Sequence, residues 1–282
     1  MGKKKSKIGM RMKCKLCSIV GLIGVVIAAM LFVSLNNFIA IKFDFHETLE
    51  VVVISIEILM LLVIYSFVRA IAILLLLKKC KNKIEEECNS ENYYHDIHDI
   101  FFSFKNTKEQ VGYFEYYLYA LQIHDKTKEL QSFIIENKDI LEKKKPMQYL
   151  NFQMIAATKQ QDKEMFEKYY RMTEDLMLKR TKDNSKRHSY YEGISKILKR
   201  NKMLFNKEYE SIIESKILDS NNETMLDKVM KNVLLAECYY YLQKEEEKQK
   251  CIQFCKDNGM KINTVKRRII EIDTKVLEND NL

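Results

Sequence analysis

Two long apolar stretches near the N-terminus constrain this chain more than any other feature. They run over residues 16–41 and 49–77, with a short polar segment between them. A helix needs about 20 apolar residues to cross a bilayer core of about 30 Å, and each stretch exceeds that length. The sequence therefore predicts a transmembrane helical hairpin with a loop at 42–48.

The charges around the two stretches predict their orientation. Residues 1–15 hold seven Lys or Arg and no acidic residue, and four more Lys follow the second stretch at 78–83. The loop holds one cation, Lys42, and two carboxylates. Short segments rich in Lys and Arg stay on the cytoplasmic side of a membrane. We expect both termini in the cytoplasm, with anionic lipid of the bilayer against the basic flanks.

Two other features of the N-terminus fit different processing of the chain. A basic start followed by an apolar run also fits a cleaved signal peptide, but the first stretch is long for one and a second follows at once. The opening Met-Gly-Lys-Lys-Lys-Ser fits N-myristoylation at Gly2, but an acyl chain adds little to two spans. The Lys, Ile and Asn content is typical of an AT-rich bacterial genome. We expect an integral protein of a bacterial plasma membrane.

The rest of the chain has the composition of an all-α fold. Beyond residue 77 it contains one Pro and three Gly, whereas strand-rich folds need many more turn formers. The apolar spacing predicts ten helices from residue 93 onward, including one at 126–142. Pro146 fits the first turn of a helix, and Asn221-Asn222 fits an N-cap. The predicted organisation is a basic cytoplasmic tail (1–15), transmembrane helix 1 (16–41), an external loop (42–48), transmembrane helix 2 (49–77), a charged linker (78–92) and a helical repeat domain (93–282).

Four segments of this domain share one pattern: an apolar, Tyr-rich helix, a polar turn and a second amphipathic helix. They cover residues 113–137, 149–172, 190–218 and 233–258. Paired helices with a period of about 34 to 42 residues resemble tetratricopeptide-type (TPR-like) repeats. The resemblance, over 109–258, implies a solenoid whose first helices form a concave surface that binds peptides or helices of partner proteins. The sequence departs from that family where Lys248 and Lys250 stand near a position usually occupied by Ala.

The Tyr clusters are the predicted partner-binding residues. Adjacent helical residues point about 100° apart, so at least one member of each Tyr pair faces away from the core. Exposed Tyr is common at the centre of protein interfaces. The positions chosen are Tyr116, Tyr117, Tyr240 and Tyr241. The alternative is that these rings pack into the core.

The interior of the second stretch contains two charged residues, Glu57 and Arg69. A charge inside a membrane is costly and is by default a functional hypothesis. Glu57 fits the outer interface, because the stretch is longer than the bilayer core. Arg69 lies deeper and makes either a protein–protein contact or a snorkelling contact with water. Gly24 and Ala28 give the first stretch a small-residue face for packing against the second.

Two groups of residues have the chemistry of metal ligands. His95, His98 and Asp99 share one helix face, and Cys14 and Cys17 form a CxxC motif. Neither group has enough further ligands nearby, so we expect a polar helix face, unpaired thiols and no cofactor. No phosphate-binding Gly-rich loop, nucleophile elbow or HExxH motif occurs, so we expect no enzyme.

Charge and composition together lead to two functional hypotheses. The net charge is +8, but the residues after 77 hold 38 Lys or Arg against 35 Asp or Glu, which argues against nucleic acid as a partner. The first hypothesis is a membrane-anchored cytoplasmic scaffold that binds a partner protein at the inner membrane face. The alternative is a small subunit of a membrane complex for transport, secretion or immunity, in which the hairpin is functional and the helical domain regulates it.

Overall fold

The computed structural model describes residues 9–42, 47–104, 107–181, 188–215 and 223–274. Within these ranges the regular elements are fourteen α-helices and one 3₁₀ turn, which confirms the all-α prediction. The chain divides into two compact units. We call residues 1–82 with 96–105 the hairpin unit, and residues 83–95 with 106–282 the helical unit.

The hairpin unit is built on two long helices, α1 (Met10–Lys42) and α2 (Glu47–Glu87). Both contain a stretch that is long and apolar enough to cross a membrane, at Met12–Ser34 and Val53–Glu87. The apolar side chains described along both stretches are mostly exposed. The predicted loop falls largely at residues 43–46, which lie outside the described residues. The first part of the predicted charged linker continues α2 as helix to Glu87.

Small residues let α1 approach α2 closely. A Cβ atom on Gly21 would lie 3.0 Å from the ring of Tyr65, which is closer than side chains normally pack. A Cβ atom on Gly24 would lie 3.5 Å from Val68. Of the predicted small-residue face, Gly24 therefore packs against the second helix, and Gly21, one turn earlier, makes the closer contact.

Twelve further helices follow, and their bounds correct several predicted ones. They are α3 (Ser90–Phe101), α4 (Thr107–Gln110), α5 (Phe114–Ile123), α6 (Thr127–Glu136), α7 (Lys138–Lys144), α8 (Pro146–Gln160), α9 (Lys163–Thr181), α10 (His188–Phe205), α11 (Tyr209–Glu214), α12 (Met225–Tyr241), α13 (Glu245–Asn258) and α14 (Asn263–Asp273). The helix predicted at 126–142 is two helices, because the backbone leaves the helical region at Asn137. Pro146 begins α8 as expected. The N-cap of α12 is Thr224, which forms a capping box with Asp227, rather than Asn221-Asn222.

Each of the four predicted repeat segments forms two helices that contact each other. The first helix of each pair ends in the same way. Each turn has one residue with positive φ, and the next residue's N–H donates to the carbonyl five positions back, at 2.9 to 3.0 Å. This is the Schellman ending. The positive-φ residues are Asp125, Gln161, Lys207 and Gln243. Their spacings of 36, 46 and 36 positions give the array a structural period that its residue types do not reveal.

The repeated turn fixes which residue of the second helix is buried in the core. The fifth residue after the turn residue is buried in three pairs, as Phe166, Ile212 and Lys248. Lys248 is 3% exposed, and its ammonium lies 2.7 Å from the Glu245 carboxylate and 5.7 Å from the Tyr240 ring centroid. A lysine therefore occupies a core position because its stem packs among apolar groups while its charge is paired.

The C-terminal helix links the last helix pair to the first. α14 packs against both α12 and α5, and the Thr264 hydroxyl donates to the carbonyl of Gln122 at 2.6 Å. The Asn263 N–H donates to the Ser90 hydroxyl at 3.0 Å. In an open solenoid each repeat contacts only its neighbours, so this link departs from that arrangement. The helix pairs are present, and a regular TPR-like solenoid stays a prediction.

Candidate partner-binding groove

A cavity of about 690 Å³ in the helical unit is lined mainly by the first helix of each pair and by α14. We call it the groove. The residues that line the groove recur at fixed positions relative to the Schellman turn of each helix pair. The repeated lining residues are the turn residues (Asp125, Gln161, Lys207), those three positions earlier (Gln122, Thr158, Leu204) and those six positions earlier (Ile155, Asn201, Glu237). The structural repeat thus aligns equivalent positions of successive pairs along one surface.

Two adjacent arginines of α14 form the charged wall of the groove. Arg267 Nε donates to Asp125 at 2.7 Å, and Arg268 Nη2 donates to Glu237 at 2.7 Å. Both guanidinium groups also donate to Glu271, at 2.8 and 3.0 Å. Burial opposes the charge of Arg268, but the ion pairs with the two glutamates outweigh it and raise the pKa of Arg268. The network fixes α14 to both the first and the last helix pair.

The accessible apolar surface of the groove comes from side chains of α11 and α12. Tyr241 is 40% exposed, and its ring stacks on Tyr209 with centroids 4.6 Å apart and planes 8° apart. Met230 is exposed to a similar degree and also lines the groove. The groove therefore combines accessible aromatic and thioether surface with fixed charges, the mixture found in protein interfaces.

The four tyrosines predicted from the sequence lie in different surroundings. Tyr241 lines the groove, and Tyr240 is half-buried beside it with ring centroids 5.3 Å apart. Tyr117 is buried against Phe133, and burial together with the charge of Glu129 raises the pKa of Tyr117 to about 12. Its neighbour on α5, Tyr116, is half-buried and is not among the described residues that line the groove.

The sequence reasoning missed the charged wall. Arg267 lies 142 positions from Asp125 and Arg268 lies 31 positions from Glu237, so local spacing carries no signal of these two pairs. Aligning the segments on the turn residues of the folded chain, rather than on the Tyr clusters, places Ile155, Asn201 and Glu237 at one equivalent position. The sequence carries no signal of this alignment, because the turn residues are not Gly.

The two charged residues predicted to lie within the membrane, Glu57 and Arg69, are on α2 and are both half-buried. The guanidinium carbon of Arg69 lies 5.7 Å from the ring centroid of Phe104, within the hairpin unit. This is a cation–π contact inside the chain, which was not among the two interpretations weighed from the sequence. For Glu57 the outer-interface placement stays a prediction.

The residues with metal-ligand chemistry lie on two helices, α3 and α1. His95, His98 and Asp99 share α3 with the predicted spacing, but His95 is exposed whereas His98 and Asp99 are half-buried. The His98 ring packs on Phe102 with centroids 4.6 Å apart. Cys14 and Cys17 are buried on α1. Among the residues that the structure describes, no three His, Cys, Asp or Glu side chains are grouped as a metal site requires.

No protein-family model matches the chain, and no curated protein or solved structure matches it. The TPR-like resemblance therefore rests on the paired helices and their period. Function has to be argued from the groove and the hairpin.

Proposed function

We propose that this protein is a membrane-anchored scaffold whose groove binds a partner protein at the inner face of the membrane. The observation that carries the proposal is the groove, in which equivalent positions of successive helix pairs present accessible apolar and polar groups along one surface. Stacked helix pairs commonly use such a surface to bind extended or helical segments of other proteins.

The charge of the groove favours a peptide over a polyanion. Three cations line it, Lys207, Arg267 and Arg268, and two carboxylates, Asp125 and Glu237, stand among them. Both arginines are already bonded to carboxylates of the same unit. A nucleic-acid surface would present a large excess of positive charge. A nearly balanced groove with exposed Met230 and Tyr241 suits a segment of mixed apolar and polar character.

In this proposal, the helical hairpin of α1 and α2 anchors the chain and keeps the groove at the inner face of the membrane. Helices α1 and α2 are long and apolar enough to span a membrane. The excess of Lys and Arg on their flanks orients both termini towards the cytoplasm. The alternative hypothesis, a functional hairpin within a membrane complex, relied on Arg69, whose guanidinium lies against Phe104 of its own chain. We therefore advance the scaffold alone.

Site-specific photo-crosslinking in cells tests the proposal. A photoreactive amino acid at Met230, in the groove, is compared with one at Ile135, which is 74% exposed and is not among the described groove residues. We expect discrete protein adducts from position 230 and none of the same size from 135. Adding Gln122→Arg, an exposed groove position, should remove the adducts by filling the groove. Equal adducts from both positions, or adducts unaffected by the Arg, would contradict a groove-bound partner.

A further inference from the structure

An aromatic segment belongs to the hairpin unit although it lies beyond both apolar stretches in sequence. Residues 96–104 read DIHDIFFSF and form the second half of α3 with the residues after it. Ile97, Ile100, Phe101 and Phe104 are each at most 5% exposed, whereas Phe102 is 51% exposed. The segment therefore has its own packed side and one large apolar side chain, Phe102, that is about half exposed.

The packed side contacts both membrane helices. On α2, the Arg69 guanidinium stands over the Phe104 ring at 5.7 Å. On α1, the Cys14 thiol is within hydrogen-bonding reach of the Ser103 hydroxyl and within electrostatic range of Asp99 and Arg69.

The depth of the segment follows from the position of Arg69. Arg69 precedes Lys78, the first residue of the basic flank, by nine residues, or about 13 Å along a helix axis. Because Phe104 lies beside the Arg69 guanidinium, the segment reaches below the level of the basic flank. Ser103 lies beside Cys14 of the other basic flank, so in a membrane-spanning hairpin the segment extends from the headgroups into the first part of the acyl chains. The α2 side chains that flank Arg69 on either side, Phe67 and Ile71, are themselves exposed apolar groups.

We propose that residues 96–104 form a third membrane element, which lies in the inner interface of the bilayer with Phe102 in contact with lipid. The proposal rests on the membrane anchoring proposed above. Aromatic side chains are favoured at this depth, and an amphipathic segment lies there with its apolar side towards the acyl chains. The same segment gives Arg69 an aromatic partner, so that its charge is not left against hydrocarbon. The occupant of the exposed Phe102 surface is lipid, because Phe102 belongs to the unit whose two long helices also expose their apolar side chains.

The absence of Trp from the sequence makes the test direct. Phe102→Trp introduces a single fluorescent reporter at an exposed aromatic position of the full-length chain. The variant is reconstituted into vesicles of phosphatidylcholine and phosphatidylglycerol, with or without bromine on the acyl chains. Two matched single-Trp controls are Ile27→Trp, exposed on α1, and Ile135→Trp, exposed on α6 of the helical unit.

We expect the emission of Phe102→Trp to be shifted to the blue of Ile135→Trp, quenched by brominated lipid and protected from aqueous iodide. Bromine near the carbonyl end of the acyl chain should quench it more than bromine near the methyl end, and Ile27→Trp should show the opposite preference. Iodide quenching without bromine quenching would overturn the proposal by placing Phe102 in water. Resistance to both quenchers would overturn it by placing Phe102 against protein. Loss of bromine quenching at Ile27→Trp would instead contradict the membrane span itself.

Discussion

Arg268 on α14 and Glu237 on α12 form a two-point ion pair in the wall of the groove. Nη2 donates to Oε1 at 2.7 Å and Nε donates to Oε2 at 3.3 Å. The two side chains are only 25% and 20% exposed, so water screens the pair weakly. Since α14 also contacts α5, this pair is part of the connection between the two ends of the helix array.

Arg268→Ala should destabilise the helical unit by about 1–3 kcal/mol, because it leaves the half-buried carboxylate of Glu237 without its charged donor. The measurement is the urea-induced loss of helical circular dichroism of the full-length chain in detergent micelles. Lys250→Ala is the matched control, since its pair with Glu246 is 70% and 80% exposed and should contribute nothing measurable. Equal urea midpoints for Arg268→Ala and the unmodified chain would show that the pair does not hold α14.

Gln161→Gly should stabilise the chain by about 0.5–1 kcal/mol, because a non-Gly residue in the left-handed region is strained. Gln161 has φ of 53° at the turn between α8 and α9. The side chain that would be lost donates one exposed hydrogen bond, to the Thr158 carbonyl. The adjacent Gln160→Gly is the control, since Gln160 is the last helical residue of α8 and Gly there should not stabilise. The same urea measurement applies, and a lower midpoint for Gln161→Gly would contradict the strain argument.

The helix pairs were predictable because each carries its own local signal, an apolar period of 3.6 residues on both sides of a polar turn. The turns were not recognisable as Schellman endings, since Asp125, Gln161, Lys207 and Gln243 stand where Gly is the usual signal. The groove could not be predicted, because it is built from contacts such as that of Arg268 with Glu237, which only the folded chain brings together. The segment at 96–104 was assigned to the repeat domain because its spacing is helical, and spacing does not say which unit a helix packs against.

His124 lies in the turn between α5 and α6 and has a pH-sensitive environment. Its ring stacks on Tyr94 with centroids 4.7 Å apart, and its Nδ1 is 2.9 Å from the side-chain nitrogen of Asn263. Burial, and then the charge of Lys126, lowers the pKa of His124 below its ordinary value of 6.5, against the opposing charges of two glutamates. The folded state therefore favours the neutral ring.

Because the unfolded chain binds the proton more tightly, the free energy of unfolding should fall as pH drops below 6.5 and level off below the folded pKa. His124→Asn should remove that part of the pH dependence, as measured by urea unfolding at a series of pH values between 5 and 8. His95→Asn removes only a weaker cause of the lowered pKa of His124, so it should reduce this pH dependence less than His124→Asn does. An unchanged pH profile in His124→Asn would exclude His124 as its source.

Topology can be tested without removing the native cysteines. The seven cysteines are all buried, which limits the access of a reagent to them. Burial raises the pKa of Cys251 to about 11 and, together with nearby negative charge, that of Cys238 to about 12, so these two form little reactive thiolate. We expect a Cys added within 42–48 to react with a membrane-impermeant maleimide on intact cells, and one added near residue 280 to react only after lysis. Labelling of the C-terminal site on sealed cells would reverse the proposed orientation.

Substitutions at Tyr117 and Tyr241 distinguish a role in core packing from a role in partner binding. Tyr117→Ala removes a buried aromatic side chain and should cost about 3–5 kcal/mol of stability. Tyr241→Ala removes a ring that is 40% exposed in the groove, so we expect a much smaller loss of stability and the loss of the adducts formed from position 230. Tyr241→Phe keeps the stacking on Tyr209 and should keep the adducts if ring contact, rather than the hydroxyl, binds the partner. If Tyr241→Ala destabilises the chain as much as Tyr117→Ala and the adducts persist in whatever remains folded, Tyr241 is a core residue and the partner does not contact this part of the groove.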